Sequence, residues 1–166
     1  MEPQIYRKLG ESETFTLVIC SFDTINHLAA SVGTLRALEL ISRNVSLGGY
    51  LIFDFVTHLG FLNYAGVHTW KEDGWETLEL NCWDPINAKS HARIYVQPPA
   101  ANLIYVEDIF ELAISISEVE VALRSMSFSS ITLYDFDGFD RPANTETRRV
   151  IVVAKFGNEI VQPTPL

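Results

Sequence analysis

The chain has 166 residues, 48% of them apolar and 20% charged, a balance that fits one folded domain with a proper core and excludes a disordered tail. Twelve basic residues against twenty-one acidic ones leave a net charge of −9. No Lys/Arg cluster occurs, so a phosphate-tracking nucleic-acid surface is not expected.

The acidity favours solubility and by itself names no partner. Cys20 and Cys82 sit inside apolar runs far apart in sequence. That is the pattern of buried free thiols in a reducing compartment rather than of a disulfide framework or a metal site, and the cytoplasm is the expected location. The opening residues MEPQIYRKLGESE carry no apolar signal core, and no later stretch is long and uncharged enough to span a bilayer. Neither export nor membrane insertion is expected on this evidence.

In chain order, Phe15 to Cys20 (FTLVIC) is a continuous apolar and β-branched run, the pattern of a parallel strand covered on both faces. Leu35, Leu38, Ile41 and Val45 then recur at helical spacing, with Ser31 as N-cap and Gly48-Gly49 as a stop. Tyr50 to Phe55 (YLIFDF) is a second apolar strand, which completes a βαβ unit. WETLELNCW, HARIYVQ and LIYVEDIFELAIS alternate apolar with polar residues and predict three antiparallel strands with one wet face. A short helix is expected over Ser117 to Met126. Two closing strands, Phe128 to Tyr134 and Arg149 to Phe156, follow, joined by a polar loop. The tail GNEIVQPTPL is expected to be loose.

In open α/β sheets, ligands sit beyond the carboxyl ends of the parallel strands. Both candidate strands end there in polar groups: Asp23, Thr24, Asn26 and His27 after the first, Asp54, Thr57 and His58 after the second. The order of elements, the turn Phe22-Asp23-Thr24-Ile25-Asn26-His27-Leu28, LGGYLIFDFVT and the closing RRVIVVAKF together resemble the C-terminal half of class I S-adenosylmethionine-dependent methyltransferases of the small-molecule type. The resemblance runs over residues 15–156, with an antiparallel insertion at about 69–116, a segment 1–14 before it and a tail 157–166 after it.

The resemblance implies an α/β, Rossmann-like sheet and methyl transfer from S-adenosylmethionine to a small-molecule acceptor. It also implies a cofactor edge at Ser21, Phe22 and Asp23, an acceptor side at Asn26, Thr57, Trp70 and Trp75, and a proton acceptor at His27 or Asp54. The family's glycine-rich loop and ribose carboxylate have no counterpart: no G-x-G stands in the chain, and fourteen residues precede the strand that matches the family's fourth. The chain is therefore expected to be N-terminally truncated relative to that family. It is also expected to bind the cofactor weakly or not at all by itself, and to act with a complementing N-terminal half or as a homodimer through its first strand. The competing expectation is a non-catalytic remnant or subunit that works through binding or assembly.

Each site residue also has a structural reading. Asp, Asn and His in a turn into a helix bond nearby backbone groups, a carboxylate at a strand end is usually bonded locally, and Trp70, Trp75 and Trp83 can simply cover the small sheet. His58 and His68 match no metal spacing and read as loop residues. The acidic loop from Asp135 to Glu146 fails the EF-hand template, with Phe139 at the fifth position and Asp140 where Gly is required. No metal is expected.

Overall fold

The computed structural model describes residues 13–99 and 102–157; the segment 1–12 and the tail beyond 157 lie outside the described residues. The elements are β1 (Phe15–Cys20), α1 (Thr24–Val32), α2 (Thr34–Ser42), β2 (Val45–Val56), α3 (His58–Tyr64), β3 (Gly66–Glu72), β4 (Trp75–Asp84), β5 (Lys89–Gln97), β6 (Tyr105–Leu112), α4 (Ile116–Ser125), β7 (Phe128–Asp135), β8 (Gly138–Pro142) and β9 (Arg149–Phe156). One sheet runs β1-β2-β9-β7-β8 and a second, antiparallel sheet runs β3-β4-β5-β6. Within the first sheet β1 and β2 are parallel, and the remaining pairs are antiparallel. This is the expected α/β architecture with a separate antiparallel sheet.

The core lies on one face of the first sheet. Leu51, Phe53 and Phe55 of β2 stand opposite Ala154, Val152 and Val150 of β9, and all six are buried, as a period of two requires on a half-covered sheet. Ile25 and Ala29 of α1, Ala37 and Leu38 of α2, and Val119 and Leu123 of α4 close that face. The opposite face is much more open: Leu17, Ile19 and Tyr50 are 50%, 62% and 43% exposed.

Here the structure corrects only the expectation that β1 is covered on both faces; an open edge at this strand is what the truncated sheet implied. β1 is an edge strand, paired with β2 alone among the described residues. Only Val18 and Cys20 pack against the core while Phe15, Leu17 and Ile19 are exposed. Apolar continuity cannot separate a strand covered on both faces from one whose second face is open.

Other elements and boundaries differ. The helical stretch after β1 is two helices, because Gly33 at φ 84° ends α1 and begins α2; Ser31 lies inside α1. Gly48-Gly49 do not stop a helix but belong to β2, where the register with β1 shifts. Gly48 takes φ 80°, and a Cβ on Gly49 would stand 2.9 Å from the Ser46 carbonyl oxygen and 3.0 Å from that of Thr16, so both glycines serve the bulge. Ser115 caps α4 in place of Ser117: its hydroxyl accepts from the Glu118 N–H and Glu118 reaches back to the Ser115 N–H, a complete capping box. The antiparallel sheet has four strands instead of three, β3 being the addition, and the polar loop after β7 contains β8. Cys82 is exposed, on the outward row of β4, while Cys20 is half-buried; both thiols are free. No helix among the described residues is long and apolar enough to cross a membrane.

The two sheets meet at Asn26. Fully buried in α1, its Nδ2 donates to the Val56 carbonyl at 2.9 Å and the Leu112 carbonyl at 2.8 Å, and its Oδ1 accepts from the Val56 N–H at 2.9 Å. One amide thus ties the carboxyl end of β2 to that of β6. Asn26→Ala takes this partner from the Val56 N–H and the Leu112 carbonyl in the interior, while the Val56 carbonyl keeps the Ile114 N–H at 3.4 Å, and is expected to destabilise the fold by about 2 kcal/mol or more, read as a lowered denaturant midpoint with unchanged slope.

Candidate functional site

After β1 the chain turns sharply. Phe22 and Asp23 take φ 58° and 47°, left-handed values that cost side chains other than glycine's and occur where a turn must be tight. Thr24 Oγ1 donates to the Ser21 carbonyl at 2.6 Å. Asp23 stands at the N-cap of α1, but its carboxylate makes no capping bond. Its backbone N–H instead donates to Asp54 Oδ2 at 3.1 Å.

Asp54 sits near the end of β2 on the face away from the core, and it is 6% exposed. Arg149, from the start of β9, donates from Nε to the same Oδ2 at 2.7 Å and pairs again through Nη2. The Arg149 guanidinium also lies over the Phe136 ring, 4.7 Å from its centroid. A carboxylate oxygen held by a guanidinium and a backbone amide is a fixing point. Asp54 therefore positions the turn that carries Asp23.

His27 projects from the first turn of α1, and its Nε2 is 3.7 Å from Oε1 of Glu111 on β6. Glu111 is the residue the sequence reading missed. It is 9% exposed, and Oε1 is buried without a hydrogen-bond partner. Burial, and next the nearby Asp23 charge, push its carboxyl up to about 7. Asp23 is also raised, by burial first, with the Arg149 charge opposing.

Behind Glu111, on the same face of the antiparallel sheet, Glu79 accepts from the Tyr64 hydroxyl at 3.0 Å and from Asn81 Nδ2 at 3.3 Å, and Ser90 Oγ donates to Asn81 Oδ1 at 2.9 Å. Glu79 is thus a satisfied buried carboxylate beside an unsatisfied one. Asp23, His27, Tyr64, Glu79, Glu111 and Arg149 all line one cavity of about 670 Å³, at the carboxyl ends of the parallel pair and roofed by the inner face of the antiparallel sheet.

The remaining expected site residues fall elsewhere. Asn26 is turned inward and fully used by backbone groups. Thr57 caps α3, accepting from the Gly60 N–H at 3.3 Å, and its hydroxyl lies 2.8 Å from the Thr147 carbonyl; it borders a separate cavity of about 470 Å³. Trp70 lines a third cavity, of about 590 Å³, with Lys71 and Tyr95. Trp75 opens β4 and is 45% exposed. Trp83 stacks on Phe61 at 5.7 Å between ring centroids and meets His58 edge-on. His58 starts α3 and His68 lies in β3, so neither is a loop residue.

The signal for Glu111 and Glu79 was present but needed pairing information. Each is a charged residue on the row that also carries Ala92, Ile94 and Ile109, and only the register shows that this row faces inward.

No protein-family model and no curated protein matches the sequence. Solved structures do. An S-adenosylmethionine-dependent methyltransferase from Clostridium acetobutylicum superposes at TM-score 0.73 with 18% identity, over 91% of this chain and 62% of that one. The chain has the methyltransferase fold. The CcbJ methyltransferase from Streptomyces caelestis gives 0.68 at 17% identity over 91% and 64% of the two chains. The sugar N-methyltransferase KedS8 from Streptoalloteichus gives 0.60 at 14% over 91% and 60%. The chain thus spans about 60 to 64% of the length of these neighbours.

The raised Glu111 carboxyl makes a pH prediction. Its folded value, about 7, lies above the ordinary 4.5, so folding favours the protonated form. The stabilisation is complete below 4.5 and is lost as pH rises through 7. Glu111→Gln, which cannot ionise, is expected to flatten the decline in melting temperature across that window and to melt higher than the wild type on its alkaline side.

Proposed function

We propose that this chain carries the acceptor side of an S-adenosylmethionine-dependent methyltransferase and that a small molecule binds in the Asp23–His27–Glu111 cavity. One observation supports this above the others: the methyltransferase fold, matched over 91% of the chain, sets its parallel pair so that both carboxyl ends open into that cavity. Open α/β sheets hold ligands there.

The methyl donor supplies a sulfonium-bound methyl group that needs no protein nucleophile, so the chain's own task is alignment and exclusion of water. In this reading Ser21, Phe22 and Asp23 form one edge of the donor site, where the backbone is fixed by Thr24 and Asp54, and His27 faces the acceptor. Asp54, Asn26 and Thr57 are positioning residues. Trp70 and Trp75 are left outside the acceptor site, because neither borders its cavity. Small acceptors are consistent with the neighbours, one of which is described as a sugar N-methyltransferase.

The residues present fit only part of the donor. The turn provides one wall, but no G-x-G stands in the sequence to approach the methionine moiety. The purified chain is therefore expected to show no S-adenosylmethionine binding tighter than about 100 μM by calorimetry; low-micromolar binding would show a donor site complete within these residues. The activity reading itself is tested on the chain joined to a segment that supplies the glycine-rich, donor-binding part of this fold. That protein is incubated with methyl-labelled donor and the small-molecule fraction of a cell extract. Labelled product is expected, and His27→Ala is expected to lower it by roughly tenfold or more with little change in melting temperature. If the joined protein neither binds donor nor forms product, the reading fails. The second reading, a non-catalytic subunit, then takes its place, favoured by the same missing loop.

Assembly through β1 belongs to this proposal. Its unpaired edge and the exposed Leu17 and Ile19 form a template for pairing with another strand, from a complementing segment or a second copy. Light scattering and hydrogen exchange are expected to show an oligomer in which the amides of residues 15–20 are protected. A monomer with fast exchange there contradicts it.

A further inference from the structure

Asp23, His27 and Glu111 arrive from three different places: the turn after β1, the first turn of α1, and β6. One ligand-type atom from each lies within 4.8 Å of the other two. The buried Glu111 oxygen is the telling member. It has no hydrogen-bond partner, belongs to a residue that is 9% exposed, and points at His27 Nε2 from 3.7 Å. Buried carboxylate oxygens are ordinarily partnered, and an unpaired buried charge is costly. The nearby protein cation does not fill the role: Arg149 is committed to Asp54 and approaches Asp23 Oδ1 only at 3.9 Å. With Glu79 behind it, the cluster holds more negative than positive charge.

We propose that Asp23, His27 and Glu111 form a binding site for a divalent transition cation of the zinc or manganese type. An imidazole with two carboxylates suits those ions, whereas magnesium and calcium favour all-oxygen shells. Ligands about 2.0 to 2.2 Å from a tetrahedral ion stand roughly 3.4 Å from one another, so the His27–Glu111 separation of 3.7 Å needs little closure and the others, within 4.8 Å, need at most about 1.4 Å. Asp23 and His27, with side chains 26% and 42% exposed, have the freedom to rotate toward the fixed Glu111.

Three protein ligands leave the shell open toward the cavity, the arrangement of a site that binds a further ligand rather than one that only braces a fold. An oxygen or nitrogen of a small molecule in the cavity would complete it. This inference goes beyond methyl transfer and does not depend on it, because the ion is bound by residues of this chain alone.

The test is calorimetric titration of the purified chain with zinc chloride and, separately, manganese chloride near neutral pH. One zinc ion per chain with a dissociation constant of about 10 μM or tighter is expected. Glu111→Gln and His27→Ala are each expected to weaken binding by about tenfold or more, with melting curves confirming that the variants fold. Glu111→Gln removes an unpaired buried charge and keeps the shape, so it serves even if His27→Ala is unstable. His91 and Asp108, 2.7 Å apart on the outer face, are the control for surface binding, and His91→Ala is expected to leave the affinity unchanged. Absence of any site tighter than about 100 μM, affinity that survives both cluster variants, or affinity lost with His91→Ala would each overturn the proposal.

Discussion

The arrangement depends first on a single buried amide. Without Asn26, the Val56 N–H and the Leu112 carbonyl, at the carboxyl ends of β2 and β6, would lose a partner in the interior beside α1. Two donated bonds and one accepted bond fix the angle at which the antiparallel sheet roofs the parallel pair. An Asn fits this task because it offers donor and acceptor on one short planar group; an apolar residue of similar size would satisfy neither strand. The position of Glu111, one residue before the Leu112 carbonyl that Asn26 holds, follows from that clamp.

A second constraint sorts the carboxylates by what they touch. Asp54 is buried, yet its charge is met by Arg149 and the Asp23 amide, so it acts as a brace. Glu79 is buried and bonded to Tyr64 and Asn81. Glu111 is equally withdrawn from water and has one oxygen without a partner. Three carboxylates in similar burial thus differ in their hydrogen-bond partners, and that difference, more than burial itself, selects which one remains available for chemistry. The strained left-handed turn at Phe22 and Asp23 belongs to the same economy of position: Asp54 holds it, and it sets the Asp23 carboxylate facing the cavity instead of capping its own helix.

The first sheet is finished on one face and open on much of the other. Helices α1, α2 and α4 seal the row of Leu51, Phe53 and Phe55, whereas the row of Leu17, Ile19 and Tyr50 remains exposed. The solved methyltransferase structures that share this fold are matched over 60 to 64% of their own length. The part of the fold present here lines the Asp23–His27–Glu111 cavity.

The sequence by itself determined most of the long elements, the alternation of three insertion strands, the helix α4 and the polar cluster after β1, because these follow from local periodicity and from residues within a few positions of one another. It also brought Asp23 and His27 to notice, four residues apart on one helical turn. Tertiary structure alone decided that Asn26 clamps β2 to β6, that Asp54 pairs with Arg149 from 95 residues away, and that Glu111 meets His27. Those outcomes depend on strand register and on which side of a sheet is covered. A one-residue shift in register reverses every inward and outward assignment, and no local pattern in FELAI or YLIFDF states which neighbour will lie across the sheet.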